Sequence, residues 1–371
     1  MPVCLSSNHS IRDRQPGTKW SCDNPCAKFQ ERSSGCLTIG LINNMPDGAL
    51  DATERQFLSL LNSASEGKHI RLSFHALPNI PRNEQGTRHI RNFYSSTEDL
   101  CGKHLDALIV TGREPQTPNL RDEPYWDSFT EVLEWAKENT YSTVWSCLAA
   151  HAALLHMDGI DRIKSNDKYC GVFECDRVSD HPLTTDAPST FQLPHSRWNG
   201  IPEEALTSCG YSALTRSADA GVDTFVKQHK SLFVFFQGHP EYESNTLLLE
   251  YRRDVGRYLR GEANTYPLMP RGYFDHKTMI ALTALQNEAM CQPREDLLAD
   301  ISAILGQSKV ENTWQATAAC IYRNWLDYIC EQKELRLNGS ALGARPHGVD
   351  DLVPMLATTG TASVSYLRRK A

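Results

Sequence analysis

The sequence predicts an α/β protein whose three layers are built around a doubly wound, mostly parallel sheet. Short, continuously apolar runs alternate with amphipathic segments through the first half of the chain, as strands and helices alternate in parallel sheets. The second half contains further β-type runs, and a helical pattern follows near its end. We therefore expect β additions to the sheet and a C-terminal helical segment.

The first half supplies the parallel part of the predicted sheet. Its apolar residues recur at helical spacing in residues 52–61 and 131–136, and residues 88–94 are predicted to be helix or loop. The predicted strands are residues 36–42, 70–77 and 105–110 and the run that ends at Ser146. Ligands bind beyond the carboxyl ends of strands in such sheets, so the loops after Ile42, Val110 and Ser146 are the expected site.

The second half of the chain has more β character and ends in predicted helices. Residues 245–259 are predicted to form a helix, an irregular region follows Gly261, and a last helix carries Trp314 and Trp325. We predict a flexible arm over residues 1–34, one folded domain over 35–332 and a polar tail over 333–371. The further predicted strands are residues 171–175, 191–198, 211–214, 224–227 and 232–236.

Composition excludes several classes of protein. The net charge of -7 and a pI near 6.0 argue against nucleic acid as the main partner. No apolar run is long enough to cross a bilayer or to form a signal peptide, so we expect no membrane association. The 12 cysteines are scattered, and Cys22 and Cys26 lack a matching Cys/His pair, so we predict reduced thiols, a cytoplasmic protein and no metal.

Cys147 lies at the most informative position in the chain. A β-type run ends at Ser146 and an Ala/Leu-rich helix begins after Cys147, so the thiol is expected at the positive end of a helix. That position favours the thiolate, which is the nucleophile. The backbone N–H of Leu148 is the first candidate donor to an oxyanion. A buried structural cysteine is the simpler interpretation of the local sequence alone.

A second motif provides the rest of a nucleophilic triad. His239 and Glu241 follow an apolar run and are separated by one residue, so in extended backbone both side chains would project to the same side. Glu241 could then orient the imidazole, which would act as the base for Cys147. A turn with a surface histidine is the alternative for this motif taken alone.

The combined motifs resemble a known family. Residues 41–46 (Leu-Ile-Asn-Asn-Met-Pro), 53–58 (Thr-Glu-Arg-Gln-Phe-Leu), 108–112, 194–197 (Pro-His-Ser-Arg) and 238–242 (Gly-His-Pro-Glu-Tyr) are similar to those of homoserine O-succinyltransferases and O-acetyltransferases. Those enzymes are built on the class I glutamine amidotransferase-like fold. The resemblance covers about residues 36–332.

The resemblance implies a mechanism and roles for individual residues. Cys147 would take an acyl group from succinyl-CoA or acetyl-CoA as a thioester, and His239, oriented by Glu241, would deprotonate the hydroxyl of homoserine. Acyl-CoA is then a co-substrate, with no bound cofactor, and a homodimer is expected. Lys168, Ser196 and Arg253 match the residues that contact the amino-acid substrate, and an arginine fork suits a carboxylate.

Three departures from the family pattern leave the substrates open. Gln116 stands where the family separates acetyl from succinyl donors by glycine or glutamate, so the donor is not assigned. The loop at residues 47–51 lacks the usual lysines, and Leu148 replaces a common tryptophan. Serine or another hydroxy amino acid is an alternative acceptor, and a non-catalytic binding protein is a further alternative.

A glutaminase or hydrolase with the same triad is the alternative from another class of enzyme. Glutamine amidotransferases usually flank the cysteine with glycines, two residues before and two after. Trp145 and Ala149 occupy those positions here, which disfavours a glutaminase.

Overall fold

The computed structural model describes residues 3–5, 36–100 and 103–343. The helices of these segments are α1 (Leu50–Ala64), α2 (Glu84–Phe93), α3 (Trp126–Asn139), α4 (Leu148–Asp158), α5 (Glu203–Ser208), α6 (Thr246–Leu259), α7 (His276–Cys291), α8 (Leu297–Gln307) and α9 (Gln315–Gly343). The strands are β1 (Val3–Leu5), β2 (Cys36–Ile42), β3 (His69–Ala76), β4 (Ser95–Ser96), β5 (Ala107–Thr111), β6 (Ser142–Ser146), β7 (Ile163–Arg177), β8 (Thr190–Gly200), β9 (Ser212–Ala213), β10 (Thr215–Ser217), β11 (Gly221–Val222), β12 (Thr224–Gln228) and β13 (Leu232–Phe236).

A mostly parallel sheet forms the centre of the molecule, as predicted. Its order is β1-β3-β2-β5-β6-β13-β12-β9, and β4 pairs with β3 outside that order. Six strands of this sheet run parallel: β1, β3, β2, β5, β6 and β13. The other two strands of the order, β12 and β9, are antiparallel additions at one edge. From β2 the chain first adds β3 on one side and then β5, β6 and β13 on the other side. Because the direction of strand addition reverses, the sheet is doubly wound.

Alternate side chains of the central strands enter two separate cores. On β5, Ile109 belongs to the core shared with α1, α6 and α9, whereas Leu108 and Val110 belong to the core shared with α3 and α4. A parallel strand buried on both faces is therefore apolar at every position, as the continuous runs in the sequence indicate. Helices cover both faces, which confirms the three layers.

A second, antiparallel sheet accounts for the β additions. Its order is β11-β10-β7-β8, and its long hairpin pairs β7 with β8. Cys170 on β7 is the register partner of Ser196 on β8. The main-chain N–H of His239, from the loop after β13, donates to the carbonyl of Pro194 on β8 at 2.8 Å. The second sheet is thus joined to the end of the main sheet.

The region after Gly261 is not irregular throughout, contrary to the prediction. It contains α7 and α8, which pack on each other and on the core. α7 buries Leu282 and Ala289 but exposes Ile280 and Met290, so its apolar residues do not mark a single face. Because α7 lacks an amphipathic pattern, the spacing of its apolar residues did not predict a helix. Asp275, whose side chain caps it by accepting from the Thr278 N–H at 2.9 Å, was the available signal.

The chain ends also differ from the predicted boundaries. Val3–Leu5, placed in the flexible arm, form β1 and pair with β3. α9 continues ten residues beyond the predicted start of the tail, and Lys333 is 6% exposed. Residues 1–2 and 6–34 of the predicted arm, residue 35 of the predicted domain and residues 344–371 of the predicted tail lie outside the described residues. Within the described ranges, no helix is long and apolar enough to span a membrane.

Candidate active site

Cys147 occupies a sharp turn between β6 and α4. Its φ of 52° with ψ of -113° is unusual for a residue with a side chain, and such backbone strain clusters at functional sites. The Cys147 N–H donates to the carbonyl of Phe236 at 2.7 Å, which ties the turn to the end of β13. The nucleophile candidate is therefore held by two adjacent strand ends.

His239 and Glu241 lie in the loop that follows β13, and both are buried. His239 Nδ1 lies 2.8 Å from Glu241 Oε1, and the imidazole also hydrogen-bonds Cys147. The prediction that these three side chains meet is confirmed. The expected extended backbone is wrong, since the Tyr242 N–H donates to the His239 carbonyl at 3.1 Å and closes a turn.

The charges around His239 favour its protonated form. Complete burial by itself would lower the pKa of His239, but the Glu241 carboxylate and the Cys147 sulfur outweigh burial and raise that pKa well above its ordinary value. Protonated histidine beside a thiolate is the form that a cysteine nucleophile requires.

Residues outside the triad fix the histidine loop. The Tyr242 ring stacks on His239 with ring centroids 4.2 Å apart. The Gly238 N–H donates to Asp223 Oδ1 at 2.8 Å, and a Cβ on Gly238 would lie 2.7 Å from the same oxygen. Asp223 is fully buried and was not singled out from the sequence. The imidazole is thus oriented by its neighbours on several sides.

Lys168 and Arg253 both contact the carboxylate of Asp254, a residue that the sequence analysis did not single out. Lys168 Nζ donates to Asp254 Oδ2 at 3.1 Å, and Arg253 Nε donates to Asp254 Oδ1 at 2.8 Å. The Lys168 side chain is only 16% exposed, so it is not a solvated loop lysine. Burial alone would lower the pKa of Lys168, but Glu250 and Asp254 outweigh it and raise that pKa.

Glu250 connects this cationic group to the triad. Ser196 Oγ donates to Glu250 Oε2, and Tyr242 Oη donates to Glu250 Oε1 at 2.7 Å. Glu250 and Asp254 are four residues apart on α6, so they lie on one face of that helix. Sequence reasoning missed Glu250, although this spacing beside Arg253 was a signal. Lys168, Ser196 and Arg253 therefore form one polar group beside His239.

Leu148 follows Cys147 directly, and Gln116 lies in the loop after β5. Leu148 is the first residue of α4, so its N–H has no acceptor within that helix and remains available to an oxyanion. Gln116 is exposed in the loop after β5, and its N–H donates to Glu123 Oε1 at 2.6 Å. That loop reaches the cysteine turn through Gly112, where an added Cβ would lie 2.6 Å from Leu148 Cβ.

Two further sequence features have structural partners. Asp47, in the loop that departs from the family pattern, pairs with Arg82 at 3.1 Å.

Asp51, Glu54 and His89 are the one group in the described part of the chain that could hold a metal ion. Glu54 Oε1 already accepts hydrogen bonds from His89 and from the Tyr94 hydroxyl, so this group is a polar network in its present form.

Comparison with known proteins places the chain in a family. The family model described as homoserine O-succinyltransferase matches residues 26–336. The chain belongs to the homoserine O-succinyltransferase family. Homoserine O-succinyltransferase of Rhodopseudomonas palustris is 44% identical over 308 residues, 82% of this chain and 92% of that protein. The same enzyme of Methylorubrum extorquens is 42% identical, over 81% and 89% of the two chains.

The family is one of acyltransferase enzymes, as the sequence motifs indicate. Solved glutamine amidotransferases from Thermotoga maritima and Methylobacillus flagellatus are each 12% identical to this chain. They cover 80% and 79% of it, and 98% and 95% of their own chains, with TM-scores of 0.39 and 0.41. The fold of this chain is therefore described from the order and direction of its own strands and not from these similarities.

Proposed function

We propose that this chain transfers a succinyl group from succinyl-CoA to the hydroxyl of L-homoserine, through a thioester on Cys147. The observation that carries the proposal is the hydrogen-bonded series Cys147, His239 and Glu241 at the strained turn between β6 and α4. The family relatives, named homoserine O-succinyltransferase, supply the substrate class. Transfer to homoserine is a step toward methionine.

The first half-reaction forms the acyl-enzyme. The Cys147 sulfur attacks the thioester carbonyl of acyl-CoA, and the developing oxyanion accepts a hydrogen bond from the Leu148 N–H. The C–S bond to CoA then breaks, and His239 donates its proton to the CoA sulfur. Because Glu241 holds Nδ1, the other ring nitrogen is the one that faces the reacting atoms.

The second half-reaction transfers the acyl group to the acceptor. Neutral His239 removes the proton of the homoserine hydroxyl, whose oxygen attacks the Cys147 thioester, and the thiolate leaves. Arg253 and Lys168 suit the acceptor carboxylate, and Glu250 and Asp254 suit its ammonium group. Ser196 would position the acceptor between these charges. Serine has the same charged groups on a shorter side chain, so it is the alternative acceptor.

A cytoplasmic location fits this proposal. The reaction consumes acyl-CoA, and the cysteines that the structure describes are free thiols, as expected in a reducing compartment. A homodimer remains an expectation from the family resemblance.

Intact mass after mixing with succinyl-CoA, without acceptor, tests the covalent step. We expect a mass gain of one succinyl group that is absent in Cys147→Ala and retained in the control Cys291→Ala, whose cysteine is exposed. Homoserine should then discharge the adduct faster than serine. A protein that forms no adduct with succinyl-CoA or acetyl-CoA but hydrolyses glutamine would establish the glutaminase alternative instead.

A further inference from the structure

Two arginines flank the cysteine turn, and no sequence motif drew attention to either. Arg113 follows Gly112, the residue packed against Leu148 at the start of α4. Arg162 precedes β7, and its Nη2 donates to the Pro118 carbonyl at 3.4 Å, in the same loop as Arg113. Arg162 is therefore tied to the loop that carries Arg113, and that loop packs against the start of α4 through Gly112.

Both arginines carry buried N–H groups without a partner. No described residue accepts a hydrogen bond from Arg113 Nε, Arg113 Nη1 or Arg162 Nη1, although each nitrogen is out of contact with solvent. Leaving a buried donor without an acceptor is unfavourable, and more so when the donor is charged. Such donors persist in a binding site because a ligand supplies the acceptor.

Two carboxylates near these arginines have other partners. Glu114, which follows Arg113 in the sequence, pairs with Arg257 at 3.5 Å. Glu123, which acts electrostatically on Arg162, is held by the loop through one of its two oxygens.

Glu123 Oε1 accepts from the N–H groups of Gln116 and Thr117 at 2.6 and 2.8 Å, which fixes the loop. Among the described residues, neither Arg113 nor Arg162 forms an ion pair with Glu123 within 4.0 Å. Glu123 Oε2 is buried and has no hydrogen-bond partner among the described residues, so one carboxylate charge lies near two guanidinium groups and one positive charge is in excess.

Electrostatic interactions connect these arginines with the nucleophile. Burial lowers the pKa of Arg162, whereas Tyr125, Glu123 and Cys147 act in the opposite direction. Burial and Glu123 raise the pKa of Tyr125, and Arg113 and Arg162 both oppose that rise. The two guanidinium groups therefore share Tyr125 as a neighbour, and Arg162 also acts on Cys147.

We propose that Arg113 and Arg162 bind the terminal carboxylate of the acyl group on Cys147, so that the pocket selects a dicarboxylic acyl donor. The inference rests on the proposed function and names the residues that would recognise its succinyl donor, a choice that Gln116 does not explain. A guanidinium fork matches a carboxylate with two parallel hydrogen bonds. The proposed ligand supplies acceptors for the unpartnered N–H groups and a second negative charge beside the one on Glu123.

The test compares donors that differ at the distal end of the acyl group. Butyryl-CoA has a methyl group where succinyl-CoA has its carboxylate, and acetyl-CoA lacks the position. In the unaltered protein we expect Cys147 to be acylated by succinyl-CoA about tenfold or more faster than by butyryl-CoA, as measured by intact mass against time. Equal rates for the two donors would overturn the proposal.

Variants assign the effect to the arginines. Arg162→Gln and Arg113→Gln should each slow succinylation of Cys147 about tenfold and change acetylation by about twofold or less. Arg162→Lys should restore part of the succinylation rate because it keeps the charge without the fork. Lys164→Gln, an exposed cation two residues from Arg162, is the control and should leave both rates unchanged.

The outcomes separate three cases. A variant that loses reaction with all three CoA esters equally would show that its arginine binds CoA or supports the fold, and the carboxylate subsite would be wrong. A succinyl preference that survives in both variants would also overturn it. Failure of every donor to acylate Cys147 in the unaltered protein would instead contradict the proposed function itself.

Discussion

At the scale of single residues, the site depends on which partners hold the imidazole of His239. Glu241 binds Nδ1 at 2.8 Å, Tyr242 stacks on the ring, and the adjacent Gly238 is anchored to Asp223. The sequence could name His239 and Glu241 because they are close along the chain. It could not name Asp223, since that contact joins two strand ends that only folding brings together.

Replacing Glu241 tests the role of the carboxylate. Glu241→Gln removes the charge that raises the pKa of His239, so that pKa should fall, as measured by NMR titration of the imidazole. We expect turnover to fall by about 10²-fold or more because the base loses both orientation and charge stabilisation.

The control for this change is Glu243→Gln, which removes a nearby carboxylate outside the triad. It should leave both turnover and the titration of His239 unchanged. An unaltered imidazole pKa in Glu241→Gln would show that Cys147, rather than Glu241, sets the charge of His239.

At the scale of elements, the end of β5 packs against the start of α4. Gly112 permits this contact because any side chain there would enter the space of Leu148 and Ala149. The same contact brings the loop carrying Arg113 and Gln116 to the cysteine turn. The order of the elements along the chain predicted that these loops share an edge of the sheet. The close approach itself depends on packing.

Gly112→Ala is predicted to separate this loop from α4. The new Cβ would lie 2.6 Å from Leu148 Cβ and 2.7 Å from the Ala149 nitrogen, so backbone must move. We expect a loss of about 1–3 kcal/mol in the free energy of unfolding and about tenfold slower acylation of Cys147.

Gly48→Ala provides the comparison, because nothing lies within 4 Å of its added Cβ. Urea unfolding and the acylation rate should both stay close to those of the unaltered protein. Normal acylation in Gly112→Ala would indicate that the loop is not required beside the nucleophile.

At the scale of the whole molecule, α9 joins distant parts of the chain. Trp325 Nε1 donates to Ser142 Oγ at 2.8 Å, at the start of β6. Lys333 Nζ donates to the Cys36 carbonyl at 2.7 Å and to Asp106 Oδ2 at 2.9 Å, at the starts of β2 and β5. The helix therefore stabilises the sheet at the end opposite to the candidate active site.

Lys333→Met is predicted to destabilise the protein without altering its chemistry. The change leaves Asp106 buried without its cation, which costs about 3 kcal/mol in the free energy of unfolding, as measured in urea. Leu335→Ala, at a position 64% exposed, should cost about 0.5 kcal/mol or less. Similar losses in the two variants would mean that the polar tail does begin near residue 333.

The sequence by itself determined the parallel sheet, the strand–helix turn at Cys147 and the three residues proposed as a triad. Continuous apolar runs are required by strands buried on both faces, and a nucleophile at a strand end needs its base on a neighbouring strand end. These constraints are local or follow from the order of strands and helices, so they can be predicted from the sequence.

Only the tertiary structure decided which charges meet. Glu250 and Asp254 gather Lys168, Ser196 and Arg253 from β7, β8 and α6, and Arg113 and Arg162 converge from two separate segments. The irregular appearance of residues 276–307 and the polar appearance of Lys333 were misleading for the same reason. Whether a side chain is buried, and beside which partner, depends on elements far away in the sequence that pack against it.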